Sequence, residues 1–213
     1  MKTNTTFKTL ALALGLALAG AAQAATAPLP KDLPAYGPDQ PLPTPQIARR
    51  TLPNGLTVWV VPRDGLPKVN VALSVLGGTA ADDAATPALS GMMASLLDEG
   101  TASRSSRDIA EALQAIGGDY DAGASSDAVN IRASALASHA PQLLALVADT
   151  ALHPSFPANE VALARANALQ GLKVQEADPD WQAQRAFGHA VYGDHPYSRD
   201  SLDEASVQAA TPA

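Results

Sequence analysis

Cysteine is absent from the 213 residues. No disulfide framework is available, so a folded domain here rests on its buried core. The N-terminal region also has no cysteine to carry a lipid. Clustered cations are scarce, and Arg49-Arg50 is the only adjacent basic pair. Phosphate backbones are held by grouped lysines and arginines, so nucleic acid is excluded as a partner. No Gly-x-Ser-x-Gly elbow occurs, which argues against a serine hydrolase. The glycine pairs Gly77-Gly78 and Gly117-Gly118 have no Lys-Ser/Thr behind them, so neither makes a phosphate loop. No internal repeat is visible.

The N-terminus carries an export signal. Lys2 and Lys8 precede an uncharged apolar run from Leu10 to Ala22, and Ala22-Gln23-Ala24 is a small-x-small cleavage site. The pattern predicts a secretory signal peptide over residues 1–24. The run is too short and alanine-rich for a membrane span. The expected location is the periplasm or the exterior. Removing 24 residues, two of them lysines, leaves 189 with 12 Lys+Arg against 21 Asp+Glu, a net charge of −9. That length suffices for a sizeable core. Seven prolines between Pro28 and Pro45 make residues 25–46 an extended strap or tether. Residues 47–213 are the expected folded domain.

Ile47–Leu52 and Leu56–Val61 are β-prone, with the turn signal Pro53-Asn54-Gly55 between them. Val69, Val71, Leu73 and Val75 alternate as in a half-buried strand. A helix is predicted from Pro87 to Gly100, its apolar face carried by Leu89, Met92, Met93, Leu96 and Leu97. Ser105 and Asp108 approximate a capping box for a second helix reaching Ile116. Strands follow at Asp119–Ala124 and Ala128–Leu136, around a Ser125-Ser126-Asp127 turn. Helices are predicted over Pro141–Leu152, Asn159–Glu176 and Trp181–Val191, and residues after them read as polar and alanine-rich. Helices that cluster, instead of alternating singly with strands, indicate an α+β fold.

Several phrases in order resemble the pitrilysin/insulinase family of zinc peptidases. They are Leu52-Pro53-Asn54-Gly55-Leu56, Gly77-Gly78-Thr79, Leu97-Asp98-Glu99-Gly100-Thr101, Ile109-Ala110-Glu111-Ala112-Leu113 with Ile116-Gly117-Gly118, Pro154-Ser155-Phe156-Pro157, and Tyr192-Gly193-Asp194-His195-Pro196-Tyr197. The resemblance covers residues 47 to 200. It implies an antiparallel or mixed sheet packed on one side by α-helices. It also implies further strands beyond Ala213, as in a half-domain of a longer chain.

Active members of that family carry His-x-x-Glu-His on the first helix. Two histidines at i and i+4 share a face and hold zinc, and the glutamate activates its water. A glutamate from a later helix completes the site. Here Gly91 and Ser95 occupy the histidine positions, Ala94 the glutamate position, and Gly171 the third-ligand position. No zinc or other cofactor is expected, and no catalytic residue is assigned.

The resemblance implies two further roles. Zinc-free members pair with zinc-bearing homologous subunits or domains, and extended peptides add to a sheet edge. The segment Asp119, Tyr120, Asp121, Ala122, Gly123 and Ala124 is the candidate edge, although an ordinary strand fits the same residues. The expected function is a non-catalytic subunit or half of a periplasmic metalloendopeptidase. A stand-alone peptide-binding module is the alternative, followed by a metallopeptidase with relocated ligands. Asp98 and Glu99 read as a solvated helix end. His189 and His195 are six apart and do not share a helical face; with Asp194 they make a poor metal cluster. His139 and His153 flank a helix, and Trp59 and Trp181 read as core or half-buried.

Overall fold

The computed structural model describes residue 37 and residues 44–63 and 65–212. The expected signal peptide, and most of the expected proline-rich strap, lie outside them. The chain divides into two compact units that meet at Pro62 and Arg63. Each is described by itself.

The described part of the first unit is a hairpin of β1 (Ala48–Thr51) and β2 (Thr57–Val60). Its register runs from Ala48↔Val60 to Thr51↔Thr57. Gly55 takes φ +89°, a left-handed conformation open to glycine, and the Asn54 side chain accepts the Leu56 N–H at 3.1 Å. The turn therefore forms where Asn-Gly predicts it. Trp59 is 60% exposed, contrary to the core or half-buried setting expected for it. Its cross-strand partner is Arg49, whose guanidinium covers one ring face at 5.1 Å.

The second unit is built on a three-stranded sheet of β3 (Lys68–Leu76), β4 (Asp119–Ala124) and β5 (Ala128–Leu136). The order is β3-β5-β4, and both pairings are antiparallel. No parallel pair occurs among the described residues, so the sheet is antiparallel and not mixed. Side chains alternate across a strand, so Val129, Ile131, Ala133 and Ala135 of β5 share one buried face. Val69, Val71 and Leu73 of β3 and Tyr120, Ala122 and Ala124 of β4 flank them on the same face.

Among the described residues six α-helices follow in sequence order: α1 (Leu89–Ala94), α2 (Ser106–Ala115), α3 (Ala140–Leu152), α4 (Ala158–Glu176), α5 (Pro179–Tyr192) and α6 (Glu204–Ala209). α3 covers β5 with Leu143, Leu146 and Val147, and α1 adds Ala94 near β4. In α2 the predicted capping box is complete. Ser105 accepts the Asp108 N–H, and Asp108 accepts the Ser105 N–H at 2.9 Å.

α1 is shorter than its apolar pattern predicts. Beyond Ala94 the N–H groups of Leu96, Leu97 and Glu99 bond three residues back instead of four. The Ser95 hydroxyl also donates to the Met92 carbonyl at 2.8 Å. Such bonds tighten and end a helix while Leu96 and Leu97 stay buried. The polar end of the chain hides α6. Asp203 accepts the Ser206 N–H at 2.7 Å and its hydroxyl at 2.8 Å, and Ser206 and Val207 are fully buried.

Two fastenings hold the loops. The backbone N–H groups of Gly77, Thr79 and Ala80 donate to the carbonyls of Asp127, Ser125 and Ser126, clasping the β4–β5 turn. Gly78 sits inside that clasp, where a Cβ would stand 1.9 Å from the Ser125 carbonyl oxygen. Elsewhere, Asp149 of α3 accepts from Thr101 Oγ1 at 2.9 Å, from Ser103 Oγ at 3.1 Å and from Arg104. His153 Nδ1 approaches its other oxygen at 3.5 Å. Burial pushes the Asp149 carboxyl up, but the hydrogen bonds from Thr101, Ser103 and Arg104 and the Arg104 charge outweigh it and hold the carboxyl below its ordinary value.

Both fastenings yield predictions. Gly78→Ala forces backbone apart and should destabilise by at least about 1–3 kcal/mol, read by urea denaturation. Asp149→Asn should lower the denaturation midpoint at pH 7. A depressed carboxyl contributes stability above its unfolded value and loses it as pH falls through the folded value. The gap between Asp149→Asn and the unmodified chain should therefore narrow below the ordinary value of 3.8 and close in stronger acid.

Candidate functional site

α1 and α4 place the four motif positions. Gly91 is half-buried, Ala94 has no exposure and belongs to the core, and Ser95 is exposed. The Ser95 hydroxyl donates to its own helical turn. Gly171 lies on α4 and is exposed. A cleft of about 430 Å³ opens between the helices, with Gly91, Ser95 and Glu99 on one wall and Glu160, Ala164 and Asn167 on the other. Gly171 does not line it.

Glu160 and Asn167 are cleft residues that the sequence reading did not single out. A signal for them was present: Glu160, Ala164 and Asn167 recur at i, i+4 and i+7 along α4, as one helical face requires. In the cleft Glu160 accepts from the neighbouring Asn159 amide at 2.7 Å.

Zinc does not fit this donor set. Neither glycine nor alanine offers a side-chain ligand, and no imidazole lines the cleft. Among the described residues no three histidine, aspartate or glutamate side chains gather as a metal site would need. Crowding is not the reason. A Cβ at Gly91 or Gly171 would meet no atom within 4 Å. Both positions have room for a side chain and carry none.

The edge candidate lies beside this region. β4 is an outer strand of the sheet, and α1 packs against it. Tyr120 points to the buried face, where its hydroxyl donates to Thr150 Oγ1 at 3.0 Å. Asp119 and Asp121 are exposed on the other face. Asp98 is half-buried beyond α1. Burial pushes its carboxyl above the ordinary range, against a lowering backbone hydrogen bond, and the charges of Glu99 and Asp121 add to the rise. It is thus not simply a solvated helix end.

His195, His153 and Trp181 make local structural contacts. His195 Nδ1 accepts the Tyr197 N–H at 3.2 Å, and the two rings meet edge to face at 4.7 Å. Tyr197 donates to Asp127 Oδ1 at 2.6 Å, tying this segment to the β4–β5 turn. His153 caps α3 at its C-terminus, and Trp181 is half-buried with Arg185 over its ring at 5.3 Å.

The open space at the two motif glycines gives a direct check. Gly171→Ala and Gly91→Ala should each stabilise the chain by about 0.5–1 kcal/mol, because alanine favours a helix where no neighbour opposes it. Thermal denaturation of the single and double variants reads the gain.

Comparison with known proteins places this architecture. The profile described as Insulinase (Peptidase family M16) matches residues 59–204. An uncharacterized zinc protease of Mycobacterium tuberculosis is 30% identical over 182 residues, covering 85% of this chain and 42% of its own length. One of Bacillus subtilis is 30% identical over 153 residues, covering 70% of this chain and 36% of its own. The chain thus spans about two-fifths of the curated relatives it matches. At the level of fold, a peptidase M16 inactive domain from Pseudomonas fluorescens superposes with a TM-score of 0.69 at 24% identity, over 76% of this chain and 42% of that one. Pitrilysin superposes with a TM-score of 0.64 at 18% identity, over 78% of this chain and 18% of its own. The chain belongs to the insulinase family of peptidases, family M16.

Proposed function

We propose that this chain is an exported, non-catalytic member of its family that works beside a zinc-bearing homologue and holds extended peptide along β4. One observation carries the reading. The helices α1 and α4 that carry the motif positions are both formed, while Gly91, Ala94, Ser95 and Gly171 supply no ligand and no base. Without a Lewis acid, a water at this place is not activated as it is in the zinc peptidases, and the four motif positions offer it no base.

Three features support the rest. The lysines and apolar run of residues 1–24 suit export to the periplasm. Leu163 and Val174 of α4 and Phe187 and Val191 of α5 are each more than half exposed, which suits helices covered by another protein surface. Among the described residues β4 offers an unpaired strand edge, where backbone hydrogen bonds give affinity without a metal. Because that edge belongs to this chain alone, stand-alone peptide binding is the second reading.

Two measurements test the proposal. The purified chain, dialysed after exposure to excess zinc, should retain far less than one equivalent and cleave no peptide. Stoichiometric zinc with chelator-sensitive cleavage would overturn the non-catalytic assignment. Affinity capture from periplasmic extract should recover a relative carrying His-x-x-Glu-His. Recovery of peptides without such a relative would leave the stand-alone module.

A further inference from the structure

Resting on the reading of β4 as a peptide edge, we infer that this edge selects extended peptides carrying lysine or arginine at alternate positions. Period two decides which peptide groups meet which residues. Asp119 and Asp121 sit two apart on the exposed face of β4. A strand added to that edge would bring every second side chain alongside these two carboxylates. On the opposite face it would run beside Tyr120, Ala122 and Ala124.

Charge around the edge is predominantly negative. Asp98 and Glu99 follow α1, the helix that packs on β4. None of the ion pairs among the described residues involves Asp98, Glu99, Asp119 or Asp121. Asp119 accepts only a Ser134 hydroxyl, at 3.2 Å. Arg132, opposite Asp121 on β5, is the one cation on the neighbouring strand. No backbone hydrogen bond from loops or turns reaches residues 119–124, so the outer side of β4 keeps its donors and acceptors free among the described residues.

The same charges argue against a second copy as the occupant. Antiparallel pairing of β4 with another β4 would set aspartates near aspartates, which destabilises a sheet. Charged residues on an edge strand are an ordinary guard against such self-pairing. A cationic strand meets the same edge with attraction. The partner class is therefore a basic extended peptide.

The test uses labelled extended peptides identical except at two alternate positions, which carry lysine, glutamine or glutamate. Binding to the whole chain is followed by fluorescence anisotropy. The lysine peptide should bind about tenfold tighter than the glutamine peptide at low salt. That preference should shrink as salt is raised. Asp119→Asn with Asp121→Asn should abolish the preference while keeping glutamine-peptide binding, which also reports that the variant is folded. A backbone N-methylated lysine peptide should lose binding. Equal affinity for all three peptides would overturn the inference and leave the edge reading intact. A preference that survives the double substitution, or the N-methylation, would overturn the assignment to this edge. Failure of every peptide to bind would overturn the edge reading itself, and the inference with it.

Discussion

Val129, Ile131, Ala133 and Ala135 commit one face of β5 to burial, and the second unit is arranged around that commitment. β5 is the central strand, so both of its edges are paired and its buried face needs a roof. α3 supplies much of it with Leu143, Leu146 and Val147, and Ala94 of α1 closes part of the rest. Register follows from the same face. Slipping β5 by one residue would turn Asn130, Arg132 and Ser134 inward, which no polar partner there could repair. The loop fastenings then hold the roof in place. The clasp at Gly78 pins the β4–β5 turn, and Asp149 gathers the loop after Gly100 onto α3.

Much of this was legible in the residues. Alternation located β3, the Ser125-Ser126-Asp127 turn set off β4 and β5, Asn54-Gly55 located the hairpin turn, and Ser105 with Asp108 located the start of α2. These are local signals, and each acts over a few residues. What the residues concealed depended on neighbours distant in sequence. The apolar face of α1 continues past Ala94, but burial of Leu96 and Leu97 is met by tight turns instead of further helix. α6 is buried at Ser206 and Val207, although its sequence reads as polar. The Asp203–Ser206 cap was a readable sign of it, weaker than the composition around it.

The candidate site was legible in a different way. Its positions come from spacing and resemblance, and the structure adds what stands there. Ala94 is sealed in the core, so a carboxylate in its place would have to escape burial or pay for it in stability. Gly91 and Gly171 are unconfined, so their lack of side chains answers no packing demand. Folding here depends on Ala94, Leu97 and the sheet they cover, and not on donors at the helix surface. Small residues at the motif positions therefore leave the fold intact: Gly91 and Ser95 line the cleft, while Ala94, at the glutamate position, serves the core.

The strand edge completes the reasoning. An unpaired edge is a hazard to a protein, because it templates unwanted pairing. β4 remains an edge among the described residues, with two aspartates on its exposed face and further carboxylates after the adjoining helix. Negative charge keeps like strands away without closing the edge to others. A proline or a covering helix would have closed it to every partner. Charge rejects one class of strand and attracts another, so the device that protects this edge also makes it selective.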